Sequence, residues 1–139
     1  AIGNMTSQST SNPCSISQKA AIAALTGDYT LVDMMLKEFD KRRKILASGL
    51  NDLLKDSTPP PEGAFYYFPG IRSFLNKKLR GETIRTADDF CKVLLDVARV
   101  AAVPGTDFGD ASRVRFSFAT SEKNIREGLD RIAECIREA

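Results

Sequence analysis

One long apolar stripe constrains this chain more than any other feature. Leu31, Met34, Met35, Phe39, Leu46, Leu50, Leu53 and Leu54 recur at three- and four-residue steps and their sum, the spacing that gathers side chains on one face of an α-helix. Asp28 or Thr30 is available to cap its start, and Pro59-Pro60-Pro61 forbids its continuation, since proline lacks the donor a helix turn needs. At ~1.5 Å per residue, residues 30–55 would span about 38 Å. A single small domain is narrower than that. The expectation is a helix that bridges two bodies or packs on another one.

The segments on either side read as shorter elements. Residues 1–17 are dominated by Ser, Thr and Asn with a proline at 13, a composition that favours loop because these side chains compete for backbone hydrogen bonds. The alanine-rich run from Ser17 to Leu25 is a good helix former, with Ser15 or Ser17 as its cap and Gly27 as its stop. Beyond the prolines, Ala64 to Phe68 reads as a strand, Phe74 to Leu79 as a short amphipathic piece, and Thr86-Ala87-Asp88-Asp89 as an acidic capping box. The helix it opens places Phe90, Val93, Leu94 and Val97 on one side and runs into the β-capable stretch Val100–Val103. Val114 to Phe118 alternates strictly, and Ser121 caps a last helix with Ile125, Leu129, Ile132 and Ile136 inward. The last two strands are short and closely linked, so they are expected to pair antiparallel. The order predicts an α+β fold: a small mixed or antiparallel sheet covered on one face by helices, preceded by the long connecting helix.

Composition removes several chemistries. With no His among 139 residues, Ser-His-Asp and Cys-His nucleophile systems, His-ligated zinc and imidazole proton shuttles are excluded, and no metal site is expected. The three cysteines, 14, 91 and 135, form no CxxC pair, which favours a reduced, cytoplasmic protein over a disulfide scaffold. A net charge of +2 argues for neither nucleic acid nor a membrane surface as partner. No apolar run reaches the ~18 residues of a membrane span.

Among the residues that remain, Arg115 is the most informative. Alternation puts Val114, Phe116 and Phe118 on one face and Arg113, Arg115 and Ser117 on the other. The apolar face must line the core, so Arg115 points away from it, where its planar fork suits a carboxylate. A plain surface ion pair is the competing reading. The two glycines and proline of PGTDFG make a shaped turn that either cradles an anion or merely joins two strands. Lys41-Arg42-Arg43-Lys44 spreads around a helix without interleaved aromatics, as a solvated face does. Cys91 and Cys135 sit on helical stripes as small buried hydrophobes, and Cys14 is the one thiol placed to react.

Four strings, QSTSNPCSISQKAAIAAL (8–25), PEGAFYYFPG (61–70), VPGTDFG (103–109) and VRFSFATSEKNIREGLDRI (114–132), occur in an order and at separations that resemble the C-terminal part of a class I pyridoxal-phosphate aminotransferase, close to the aspartate aminotransferase group. The resemblance implies that residues 1–28 are a remnant of a large cofactor-binding domain and that 29–139 form the small domain, long helix included. It implies an enzyme moving an amino group between an amino acid and a 2-oxo acid through pyridoxal 5'-phosphate, in the form of a homodimer. It gives Arg115 the substrate α-carboxylate and sets Ser11 near the neighbouring subunit's cofactor phosphate. The family's Schiff-base lysine lies in a Ser-Lys segment followed by Gly-Trp-Arg. None of the nine lysines here has that context and the chain has no Trp, so the catalytic lysine is not expected in this chain and the isolated 139 residues are expected to be inactive and to bind no cofactor. Residues 1–10 hold no arginine for a second substrate carboxylate. The rivals are a non-catalytic small-molecule-binding domain using the Arg115 face and a helix-mediated interaction module.

Overall fold

In the computed structural model, residues 2–9 and 12–137 are described, and they fall into two compact units, Ala1–Met35 and Leu36–Ala139. The first unit holds helices α1 (Ile2–Ser9) and α2 (Ser15–Thr26) and the opening turns of α3 (Thr30–Leu54). The loop expected over residues 1–17 is therefore partly helix. Its hydroxyls do not compete with the backbone but bond back along it, Thr6 Oγ1 to Ile2 O and Ser9 Oγ to Met5 O at 2.9 Å each. Helix α2 begins at Ser15 with Cys14 in the capping position and no side-chain cap. Neither Ser15 nor Ser17 caps it as expected; the Gln18 side-chain amide donates to Pro13 O at 2.8 Å, a bond that satisfies no helix N–H. Gly27 ends the helix as expected, where a Cβ would stand 2.6 Å from Ala23 O. Asp28 opens α3, its Oδ1 accepting from Thr30 N at 2.9 Å and Thr30 Oγ1 at 2.6 Å.

The second unit is built around a three-stranded sheet of order β1-β5-β4, with β1 (Tyr66–Tyr67), β4 (Val103–Pro104) and β5 (Val114–Ser117). Both pairings are antiparallel, Tyr66 opposite Ser117 and Val103 opposite Arg115. Tyr67, Val114, Phe116 and Phe118 point inward and join the buried faces of α3 (Leu46, Leu50, Leu54), α4 (Ala87–Val93; Phe90) and α5 (Glu122–Ile136; Ile125, Ile132) in one core. This is the expected α+β arrangement. The helix starts expected for α4 and α5 are also in place: Asp89 accepts from Arg85 N and Thr86 N, and Ser121 accepts from Asn124 N.

Two further expectations need correction. The piece at Phe74–Leu79 is not one amphipathic element but a turn followed by a hairpin of β2 (Lys78–Leu79) and β3 (Glu82–Thr83). Its two-residue loop, Arg80-Gly81, has φ of +51° and +88°, the left-handed geometry that tight hairpins require. Beyond α4 the chain makes a π-helical turn over Leu94–Ala98. The extra residue per turn rotates Val97 into solvent and buries Ala98 instead, so the regular spacing fails by one residue there.

Candidate functional site

The outward face of the sheet holds a guanidinium between two aromatic rings. Arg115 leaves the central strand β5 on the face opposite the core, as the alternation requires. Its Cζ lies 4.4 Å from the centroid of the Tyr66 ring and 4.4 Å from that of Phe108. Tyr66 comes from β1 on one side of β5, diagonal to Arg115. Phe108 comes from the turn that follows β4 on the other side. The two rings therefore reach the guanidinium from the two elements that flank β5. Each is partly open to solvent, Tyr66 at 37% and Phe108 at 50%.

The PGTDFG turn delivers Phe108, and its geometry is tightly specified. Gly105–Phe108 form a 3-10 turn closed by Gly109 at φ +84°. Gly105 is needed for close approach: a Cβ there would lie 2.2 Å from Asp110 O and 2.5 Å from Arg113 O. Thr106 Oγ1 hydrogen-bonds to the Asp88 carboxylate at the start of α4. Asp110 Oδ1 accepts from Ser112 N and Ser112 Oγ at 2.9 and 2.6 Å, and these bonds, with Arg113 nearby, hold its carboxyl below the usual range. The amides of Gly105, Gly109 and Asp110 are spent on Arg113 O, Thr106 O and Gly105 O. That geometry favours the connecting turn over the anion cradle.

The two strand arginines differ sharply. Arg113 Nη1 donates to Phe68 O at 2.8 Å and Thr58 Oγ1 at 3.0 Å, and its Nε lies 3.3 Å from Asp110 Oδ2. Arg115 forms no hydrogen bond or ion pair with any described residue, and its Nε is buried without a partner. The surface ion pair that competed for Arg115 is thus absent among the described residues. The basic run is ion-paired, Lys41 with Glu122, Arg42 with Glu38, and Arg43 and Lys44 with Asp40, although Arg42 Nε, like that of Arg115, is buried without a partner. Cys91 and Cys135 are buried and Cys14 exposed; burial, with Asp88 nearby, pushes the Cys91 thiol up to about 12. Ser11 lies outside the described residues. Sequence reasoning found Arg115 but missed Tyr66 and Phe108. The available signal was the antiparallel pairing itself, which places an outward residue of β1 beside an outward residue of β5.

The sequence matches the family model described as aminotransferase class I and II over residues 1–132. An aspartate aminotransferase of Streptomyces avermitilis is 38% identical over 136 residues, covering 98% of this chain and 33% of that protein. An aspartate/prephenate aminotransferase of Nitrosomonas europaea is 41% identical, covering 98% and 35%. The crystal structure of the Rhizobium meliloti aspartate aminotransferase superposes with a TM-score of 0.86 at 42% identity, over 96% of this chain and 34% of that one. The chain spans about a third of the length of the curated relatives it matches.

Proposed function

The chain belongs to the class I and II aminotransferase family, and from that premise we propose that it is the C-terminal part of an aspartate-aminotransferase-like transaminase. Residues 29–139 are its small domain and residues 1–28 the last piece of the large cofactor-binding domain. The complete enzyme is a cytoplasmic homodimer that moves an amino group between an amino acid and a 2-oxo acid. Pyridoxal phosphate, when bound there, supplies an electron sink for the substrate α-carbon. No lysine takes part in the Arg115 stack, so the side chains around Arg115 offer that cofactor no Schiff-base amine. They do fit a substrate carboxylate. Ser11 is assigned a place near the neighbouring subunit's cofactor phosphate.

The observation that carries this reading is the unpaired, stacked guanidinium of Arg115. A structural arginine spends its donors on the protein, as Arg113 does. Arg115 keeps them for a ligand, and a planar fork with fixed spacing accepts the two oxygens of an α-carboxylate at once. Lysine offers a point charge without that fork. In the full-length enzyme, Arg115→Lys is expected to lower kcat/KM for amino acid and 2-oxo acid alike by about 10- to 100-fold, the worth of a charge-assisted bidentate contact. Unchanged steady-state kinetics would remove Arg115 from the site.

A further inference from the structure

We infer that Tyr66 and Phe108 are positioning residues that set the plane of the Arg115 guanidinium and so decide how a carboxylate approaches it; the inference rests on the carboxylate-binding reading of Arg115. Both ring centroids lie 4.4 Å from Arg115 Cζ, and the rings arrive from strands on opposite sides of β5. With a ring from each flanking element 4.4 Å from Cζ and Nε buried, the terminal nitrogens of the fork are the route left for an anion. A free arginine side chain samples many rotamers, and each must be given up on binding. Here the rings hold one plane before the ligand arrives, which reduces the ordering cost of binding.

The clamp is itself braced. Phe65 tilts against Tyr66 with centroids 4.5 Å apart, and Phe68 meets Phe108 edge-on at 6.2 Å. Arg113, fixed by its own hydrogen bonds, lies over Phe68 at 5.9 Å. The result is one continuous series, Phe65, Tyr66, Arg115, Phe108, Phe68 and Arg113, in which one cation is tied to the protein by hydrogen bonds and an ion pair and the other is not. The partial exposure of Tyr66 and Phe108 sets them apart from the core aromatics Tyr67, Phe90 and Phe118, which are fully buried.

The test is a mutant cycle in the full-length enzyme with L-aspartate and 2-oxoglutarate as substrates. Phe108→Leu and Tyr66→Leu are each expected to raise KM by about 5- to 10-fold with a smaller change in kcat, the loss of one stacking face. Phe108→Tyr and Tyr66→Phe, which keep a ring, are expected to stay within about twofold of the parent. Because the rings act through Arg115, the Phe108→Leu effect should shrink below about twofold in an Arg115→Lys background, where a purely structural role would add in full. As a measurement independent of turnover, the Nε–H resonance of Arg115 should move on Phe108→Leu, since it loses a ring face. Leucine variants with unchanged KM, an undiminished Phe108→Leu effect in the lysine background, or an unmoved resonance would each overturn the clamp. If Arg115→Lys alone leaves KM unchanged, the carboxylate reading fails and takes this inference with it. If Arg115→Lys is impaired and the leucine variants are not, the clamp alone fails.

Discussion

Arg113 and Arg115 stand two residues apart in the chain, yet the Arg113 guanidinium is bonded to Phe68 O, Thr58 Oγ1 and Asp110 while that of Arg115 lies against two rings and has no hydrogen bond or ion pair with any described residue. Their contributions to stability should differ accordingly. Removing Arg113 leaves Phe68 O short of a donor and unties the Thr58 loop from the sheet, so Arg113→Ala is expected to cost about 2 kcal/mol. Arg115→Met loses two ring contacts worth about 0.5–1 kcal/mol each but also relieves a buried, unpaired Nε–H that costs about 1–3 kcal/mol. The two terms nearly cancel. Urea denaturation of the two variants checks this: an equal loss at both positions would mean that Arg115 is a structural residue.

The turn that carries Phe108 tolerates no side chain at Gly105. A Cβ would meet Asp110 O, Arg113 O and Phe68 Cζ at 2.2, 2.5 and 2.9 Å, two of them backbone atoms that cannot swing away. Gly105→Ala is expected to destabilise by about 3 kcal/mol, at the upper end for overpacking. It should also pull Phe108 off the Arg115 guanidinium. Gly128, inside α5, has nothing within 4 Å of the added carbon, so Gly128→Ala should stabilise by roughly 0.5–1 kcal/mol through helix propensity. Thermal melts of the pair would separate close approach from mere flexibility.

Much of this arrangement was legible in the sequence because period and capping are local. The alternation at Val114–Phe118 alone gives the direction of Arg115, and Ser121 and the Thr86–Asp89 pair mark helix starts that the structure keeps. What escaped was non-local or too short to show a period. Strands β2 and β3 have two residues each, too few to alternate. The π-helical turn shifts burial from Val97 to Ala98 without any change in residue type that spacing would notice. Tyr66 was hidden in a run of four aromatics, Phe65 to Phe68, where every position is apolar enough to be core. The clamp joins Tyr66 to the distant segment that carries both Phe108 and Arg115, and the β1-β5-β4 pairing brings them together.

Asp56 should give the fold an acid-sensitive joint. Its Oδ2 accepts from Gly70 N at 3.0 Å and Thr58 N at 3.2 Å, tying the end of α3 to Gly70, which bridges to Arg113. Burial pushes this carboxyl up, but the hydrogen bonds from Thr58, Gly70 and Ser57 outweigh it and leave it below its ordinary value. A carboxyl with a lower pKa folded than unfolded contributes fully above the unfolded value of ~4, and the contribution is lost as pH falls through the folded value. Urea midpoints should therefore decline from about pH 5 downward, and Asp56→Asn should be less stable near neutrality with a flatter profile across that window. A parallel profile for the variant would show that Asp56 is not the group responsible.

The amino-terminal half of α3 carries the same stripe as its carboxy-terminal half but leaves it in solvent. Leu31, Met34 and Met35 are 72%, 58% and 59% exposed, whereas Leu46, Leu50 and Leu54 are buried. A pair of chains covers three such side chains on each copy, six in all at about 1.5–3 kcal/mol each, against about 4–15 kcal/mol for the lost freedom of two associating molecules. The sum favours weak self-association of the 139-residue chain, and it is hydrophobic, so added salt should not dissolve it. Sedimentation at rising concentration should show a shift toward dimers or larger species, and Met34→Glu combined with Met35→Glu should return it to monomer. A parent chain that stays monomeric at the highest concentration would mean that this stripe finds its cover within the chain itself.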